Sequence, residues 1–167
     1  MSIAEQLEDQ ERYEEAYEEY KKEYAKRPDN LTLLEKLGHL AMLLDKKSEA
    51  AEYYSKILDK DMTNTLCYEQ LMDIYADTDR YKYYVYRGNL HSVERKLEHA
   101  INDFKKAYEL NKDFEITNYL IAVDYDTLGK YKDAYGYYKK YATSSAQDDE
   151  YKQYAKSRAE ELKEYAK

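Results

Sequence analysis

The sequence contains little that turns or cross-links a protein chain: one proline, four glycines and one cysteine in 167 residues. So few turn-forming residues leave little material for the many tight turns of a sheet-rich fold, and we therefore expect an all-α protein. The single cysteine, Cys67, can form neither an intrachain disulfide nor a cysteine-based zinc site. A chain of this kind fits a reducing compartment, and we expect it to be cytoplasmic.

Long apolar runs and clusters of basic residues are also missing. No segment of about 18 consecutive apolar residues occurs, and the opening MSIAEQLEDQ has neither a basic start nor an apolar run. We therefore expect no membrane insertion and no secretory signal. The formal net charge is −8, and no basic stripe is evident in the sequence, which argues against nucleic acid as a partner.

A twelve-residue pattern recurs four times along the chain. The copies are YEEAYEEYKKEY from Tyr13, KSEAAEYYSKIL from Lys47, LEHAINDFKKAY from Leu97 and YKDAYGYYKKYA from Tyr131. Each has alanine in its fourth position and an aromatic residue four positions later, and the first two and the last two copies are 34 residues apart. The spacing predicts a repeat protein. Tyrosine occurs 23 times and recurs at these aromatic positions, so we expect it to fill the core.

A 34-residue unit made of two helices resembles the tetratricopeptide repeat. Residues 31–64 carry the residue types of that family at five of six positions: Leu34, Leu37, Gly38, Ala50 and Tyr54 match, and Met62 replaces the usual proline. The resemblance implies an α-solenoid of antiparallel helix pairs. It also implies a scaffold, not an enzyme, that binds a peptide or helix of a partner protein in the concave groove lined by the first helices.

Small residues recur at positions 8 and 20 of each unit. The pairs are Ala4 with Ala16, Gly38 with Ala50, Gly88 with Ala100, and Ala122 with Ala134. Two helices approach closely only where both side chains are small, so we expect each pair to lie at a helix–helix contact. One unit departs from the family pattern, because Arg87 and His91 occupy positions that are ordinarily apolar.

The repeat spacing is broken once, because Ala50 and Ala100 are 50 residues apart, which is one repeat plus 16. We predict one extra helix at residues 65–78 and a polar-backed capping helix at residues 149–165. Two arrangements are open: the helix at 81–93 pairs with the extra helix, or the array breaks between residues 76 and 80 into two lobes. We favour the break, which divides the solenoid into residues 1–78 and 79–167.

Several side chains are suited to the start of a helix or to its buried face. Ser2 with Glu5 has the spacing of a capping box, and Asn30, Asn64 and Asp113 are predicted to cap later helices. Cys67 lies on the apolar side of the extra helix. Because no histidine or basic residue is near it in sequence, we expect a buried, unreactive thiol.

No residues are spaced as a catalytic or metal site. His39, His91 and His99 lack the four-residue spacing of a helical zinc pair, and no glycine-rich phosphate loop occurs. We therefore expect neither catalysis nor a cofactor or metal. Some tetratricopeptide proteins grip the C-terminal carboxylate of chaperones with lysine and asparagine at positions 5 and 9 of a first helix. Glu35 and His39 stand there instead, so the resemblance does not imply that ligand.

In the family, positions 2, 5, 9 and 12 of the first helices line the groove. The candidate peptide-binding residues are Glu35, His39, Met42, Asn89, Tyr119, Val123 and Asp126, joined by Glu69 and Asp73 if the extra helix lies in the same layer. This lining mixes carboxylates with apolar side chains and predicts a partner segment carrying basic and hydrophobic residues. The alternative is a structural or oligomerising element that self-associates through its tyrosine-rich helix faces.

Overall fold

The computed structural model describes residues 1–166 and has ten α-helices and no strand within them. In chain order they are α1 Ile3–Asp9, α2 Tyr13–Lys26, α3 Leu31–Leu43, α4 Lys47–Leu58, α5 Thr65–Tyr75, α6 Arg80–Val93, α7 Leu97–Leu110, α8 Ile116–Thr127, α9 Tyr131–Ala142 and α10 Glu150–Leu162. A 3₁₀ turn, Lys163–Ala166, follows. The predicted all-α class, the extra helix and the capping helix are confirmed, and the extra helix, α5, ends three residues earlier than predicted.

Helix starts follow the local sequence at three of the four predicted caps. Ser2 and Glu5 form the capping box of α1, and the backbone N–H of Leu33 donates to Asn30 Oδ1 at 3.1 Å. The N–H of Cys67 donates to Asn64 Oδ1 at 3.1 Å in the same way. The prediction for Asp113 is wrong, because α8 begins three residues later, at Ile116, without a side-chain cap.

Within each repeat the two helices pack against each other, as α1 with α2, α3 with α4, α6 with α7 and α8 with α9. All eight predicted small residues are buried. At Gly38 and Gly88, the backbone of the first helix is in close contact with an aromatic ring of the second helix. That ring belongs to the residue four positions after the alanine at position 20 of the same repeat. A Cβ atom at Gly38 would lie 2.8 Å from Tyr54 Cε1, and one at Gly88 would lie 2.6 Å from Phe104 Cε1. The ring packs directly onto the glycine backbone.

Arg87 and His91, the polar residues at ordinarily apolar positions of the third repeat, share a buried partner. Asp103 on α7 is 3% exposed, and Arg87 on α6 donates to its two oxygens at 2.8 and 2.6 Å. His91 Nδ1 lies 3.1 Å from Asp103 Oδ2. A buried carboxylate needs such partners, because an unpaired charge in the interior costs several kcal/mol. The departure from the family pattern is therefore a matched set of three polar residues.

Helix contacts divide the chain into two compact units, which we call unit 1 (residues 1–74) and unit 2 (from Tyr75 onward). Unit 1 contains two helix pairs followed by nearly all of α5. Unit 2 contains two helix pairs followed by α10, which packs on α9. The domain boundary predicted from the sequence, between residues 78 and 79, stays a prediction.

Candidate functional site

Unit 1 contains a groove of about 440 Å³ between its helices. It is lined by Glu8 of α1, Thr32, Glu35, Lys36 and His39 of α3, Tyr54 of α4, and Leu66, Cys67 and Gln70 of α5. We call this the unit 1 groove. Its size is within the range of small binding clefts in proteins.

The floor of the unit 1 groove is aromatic and apolar. Tyr54 and Cys67 are 4% and 1% exposed, whereas Leu66 is 54% exposed. Burial raises the pKa of the Cys67 thiol to about 11, and the nearby Glu35 carboxylate adds to the rise. The thiolate form is therefore scarce at neutral pH. The predicted burial of Cys67 is confirmed, and its low reactivity stays a prediction. Leu66 remains as an apolar side chain that a ligand can cover.

One carboxylate of the groove, Glu8, is neutralised within the protein. Lys36 Nζ donates to its two oxygens at 3.2 and 3.0 Å, and the Tyr20 hydroxyl donates to Oε2 at 2.9 Å. Partial burial opposes ionisation, but these hydrogen bonds hold the pKa of Glu8 below its ordinary value. Glu8 and Lys36 therefore bring little net charge to the groove.

The second carboxylate, Glu35, is different. It is exposed, and among residues 1–166 no basic side chain lies within the 4.0 Å of an ion pair with it. Its charge reaches into the groove, because it raises the pKa values of both Tyr54 and Cys67 in addition to the larger effect of burial. An unpaired carboxylate beside an exposed leucine is an arrangement that suits a ligand with a cation next to an apolar group.

No protein-family model and no curated protein matches the sequence. Similar solved structures include TTC0263, a thermophilic tetratricopeptide-repeat protein of Thermus thermophilus, at 16% identity over 93% of this chain and 95% of that chain, with a TM-score of 0.49. PilF of Pseudomonas aeruginosa is 17% identical over 96% and 85% of the two chains, with a TM-score of 0.45. The Sgt2 tetratricopeptide domain of Aspergillus fumigatus is 18% identical over 81% and 78%, with a TM-score of 0.40.

At these identities and TM-scores, the similarity assigns no ligand, partner or activity to this chain. The fold itself follows from the helix pairs and their 34-residue period. It follows also from the packing of the aromatic ring, four residues after the alanine, onto the small residue at position 8. The fold is that of the tetratricopeptide repeat.

Only some of the predicted binding residues of unit 1 line the unit 1 groove. Glu35 and His39 line the unit 1 groove, and their role in binding stays a prediction. Met42 lies one turn further along α3 and is not part of its lining. Glu69 and Asp73 are exposed on α5, but they too lie outside the lining, because α5 turns Leu66, Cys67 and Gln70 toward the groove instead.

The remaining predicted residues belong to unit 2. Tyr119 is surrounded by tyrosine rings, with centroids 6.1, 5.7, 5.3 and 6.2 Å away in Tyr138, Tyr141, Tyr151 and Tyr154. Arg158 of α10 donates to both oxygens of Asp126 at 2.7 and 2.9 Å. Val123 is partly buried against the core, and Asn89 is half-buried on α6. The capping helix therefore already engages Tyr119 and Asp126.

Several groove residues were missed in the sequence. Thr32 occupies position 2 of its helix, one of the inward positions of the tetratricopeptide family, so the register could have identified it. Glu8, Lys36 and Gln70 carried no such signal, because their place depends on how α1 and α5 pack against α3. Within residues 1–166, no three His, Cys, Asp or Glu side chains are grouped to hold a metal ion. None of the helices described there has the length and hydropathy to cross a membrane.

Proposed function

We propose that the protein is an interaction scaffold and that the unit 1 groove binds a segment of another protein. The observation that carries the proposal is the pairing of Glu35, a carboxylate without an ion-pair partner in residues 1–166, with the exposed side chain of Leu66 in one groove. A lysine or arginine of the segment contacts Glu35, and an adjacent apolar side chain covers Leu66. A binding role, without catalysis, also suits a thiol that is buried and protonated.

The distribution of charge supports this choice of ligand. Unit 1 contains 18 acidic and 10 basic side chains, whereas residues 75–167 contain 17 of each. The whole net charge of −8 is therefore carried by unit 1. A field of that sign attracts basic segments and repels acidic ones, and salt weakens the attraction. The lone buried Cys67 suits the reducing cytoplasm, which we propose as the location.

A peptide array of basic and apolar decapeptides, followed by fluorescence anisotropy on the best binder, tests the proposal. Glu35→Lys should weaken binding about tenfold or more, because it replaces attraction with repulsion at the groove. Leu66→Ser should weaken it without a large loss of stability, since Leu66 is 54% exposed. The matched control is Glu52→Lys, an exposed position on α4 that does not line the groove.

The results separate the groove from general charge attraction. Equal losses for Glu35→Lys and Glu52→Lys would show that only the net charge of unit 1 matters. Preference for acidic peptides, or full binding by the Leu66→Ser variant, would contradict the proposed site.

A second candidate function is self-association through tyrosine-rich surfaces. It is favoured by exposed tyrosines on and beside α9 and α10: Tyr131, Tyr151, Tyr154 and Tyr165 are 36–56% exposed. Sedimentation equilibrium at several concentrations tests it. A mass that rises with concentration, and that falls in Tyr151→Ser with Tyr154→Ser, would support an oligomerising element. A constant monomer mass would contradict it.

A further inference from the structure

Lysine pairs recur with the repeat period, although the linear sequence shows no basic stripe. Positions 25 and 26 of the repeat are Lys21 and Lys22 in α2, Lys105 and Lys106 in α7, and Lys139 and Lys140 in α9. The pairs in α7 and α9 are 34 residues apart, and a 34-residue period places equivalent residues on equivalent faces of neighbouring repeats. The structure therefore brings lysines of unit 2 together that are distant in sequence.

In unit 2, lysines of α7 and α9 lie over tyrosines of the opposite helix. Lys140 Nζ of α9 is 4.1 Å from the centroid of Tyr108 on α7. Lys112, two residues after the end of α7, places its Nζ 4.5 Å from the same ring. Lys105 Nζ of α7 is 5.8 Å from the ring of Tyr137 on α9. Cation–π attraction of this kind holds an ammonium group in place at the surface.

Two further contacts extend this surface. Lys105 Nζ donates to the Tyr125 hydroxyl at 2.8 Å, and Lys106 Nζ lies 5.4 Å from the ring of Tyr84 on α6. We call Lys105, Lys106, Lys112 and Lys140 the lysine face. Three of them are exposed, and Lys105 is half-buried.

The lysines of the lysine face form no ion pair within the described part of the chain. Among residues 1–166, no carboxylate lies within 4.0 Å of the Nζ atom of any of its four lysines. The equivalent pair of unit 1 is different, because Lys21 Nζ is 3.3 Å from Glu18 and Lys22 Nζ is 2.6 Å from Glu19. Like charges held close together without carboxylates repel one another, and a bound anionic group relieves that repulsion. The lysines at these repeat positions thus form ion pairs in unit 1, whereas those of the lysine face form none within residues 1–166.

We propose that the lysine face docks an acidic segment of a second protein. Aspartate or glutamate side chains of that segment bridge the ammonium groups of Lys112 and Lys140 at Tyr108, and Lys106, two residues before Tyr108 on α7, adds a third positive charge. This partner differs in chemistry from the basic segment proposed for the unit 1 groove, so the scaffold joins two ligands of opposite charge.

A polypeptide fits this surface better than nucleic acid or another copy of the chain does. Tyr84 and Tyr108 are half-buried beneath lysines, so their rings are not open to the base stacking that single strands use. Copies of the chain each carry a net charge of −8 and repel one another. A second copy could offer the glutamates of its α2 to the lysine face, but some of these are already in ion pairs, as Glu15 is with Arg12.

Fluorescence anisotropy with labelled deca-glutamate tests the proposal on the full chain. The unchanged protein should bind the peptide, with an affinity that falls as salt is added. Lys106→Gln with Lys140→Gln should weaken binding about tenfold or more. The matched control, Lys21→Gln with Lys22→Gln, removes two lysines from the same repeat positions and should change binding less than about twofold. Thermal unfolding by circular dichroism checks that both variants fold.

Several results would overturn the assignment. Absent binding, or equal losses in the two double variants, would remove the lysine face as a docking site. Equally tight, lysine-dependent binding of oligodeoxythymidine would make it a general polyanion surface. A mass that rises with concentration and is lowered by Lys106→Gln with Lys140→Gln would assign it to a second copy. None of these results depends on Glu35 or Leu66, so the groove proposal is tested separately.

Discussion

At the scale of single residues, one backbone conformation closes every helix pair. Position 15 of each repeat has a positive φ: 58° at Glu11, 56° at Asp45, 62° at Arg95 and 70° at Gly129. Residues other than glycine adopt this region at a cost of about 1–2 kcal/mol. Only the last repeat has the residue that avoids the cost. The four glycines differ in their surroundings: Gly129 has a positive φ, Gly38 and Gly88 pack against aromatic rings, and Gly136 has open space around it. The same substitution should therefore affect them differently.

Three glycine-to-alanine substitutions in unit 2 should change the free energy of unfolding in different directions. Gly136→Ala should stabilise by about 0.5–1 kcal/mol, because Gly136 lies inside α9 with open space around it. Gly129→Ala should destabilise by about 1 kcal/mol or more, because its φ of 70° disfavours a side chain. Gly88→Ala should also destabilise, by about 1–2 kcal/mol, because the new Cβ atom meets Phe104.

Chemical denaturation of the three variants measures these differences. Gly136→Ala is the control for helix propensity, since it changes neither a contact nor a strained φ. Equal shifts in all three variants would mean that helix propensity alone decides, and that neither the turn nor the Phe104 contact matters.

At the scale of the helix, polar side chains connect neighbouring first helices of unit 2. Ser92 of α6 donates to Asp124 Oδ2 of α8 at 2.9 Å, and Arg158 of α10 donates to Asp126 of α8. The two aspartates are two residues apart, but they differ in environment. Asp126 has a cationic partner. Asp124 is 5% exposed, and within residues 1–166 its carboxylate accepts a hydrogen bond only from the neutral Ser92 hydroxyl.

Asp124 should make stability depend on pH. Burial raises its pKa to about 6, against the opposing hydrogen bond from Ser92. A raised pKa in the folded state favours the protonated form, so its stabilising contribution is present below about pH 4 and is lost as pH rises through about 6. Asp124→Asn should therefore raise the free energy of unfolding at about pH 8, by on the order of 2 kcal/mol, and change it little at about pH 4.

Urea denaturation at the two pH values measures the effect. Asp126→Asn is the matched control, and it should destabilise at about pH 8 because it weakens a bidentate ion pair with Arg158. A loss of stability in Asp124→Asn at high pH would show that the carboxylate is stabilised by its surroundings.

At the scale of the whole molecule, charge is divided between the two units. Unit 1 carries the net charge of −8, whereas unit 2 has equal numbers of acidic and basic side chains. Like charges gathered in one unit repel each other and lower its stability, and salt screens that repulsion. The two units should therefore respond differently to ionic strength.

Residue-resolved hydrogen exchange at about 10 mM and about 200 mM NaCl tests this difference. Amides of α3 and α4 should gain more protection with added salt than amides of α8 and α9, because only unit 1 has a net charge to screen. A loss of protection in α3 and α4 would mean that salt weakens local ion pairs, such as that of Lys36 with Glu8, more than it relieves repulsion.

The sequence by itself determined the features that depend on neighbouring residues and on the repeat period. Helix starts at Ser2, Asn30 and Asn64 follow from side chains that bond a backbone N–H three positions later. The extra helix follows from the broken period. Glu35 and His39 could be placed in the groove because their helix keeps the family register.

Only the tertiary structure decided which distant residues meet. The rotation of α5 brings Leu66 and Gln70 to the groove and leaves Glu69 and Asp73 outside it, because an inserted helix is set by packing and not by the repeat register. Asp103 becomes the partner of Arg87 only when α6 and α7 pack together. The lysine face likewise exists only because Lys140 of α9 reaches Tyr108 of α7, a contact between two repeats that no local pattern specifies.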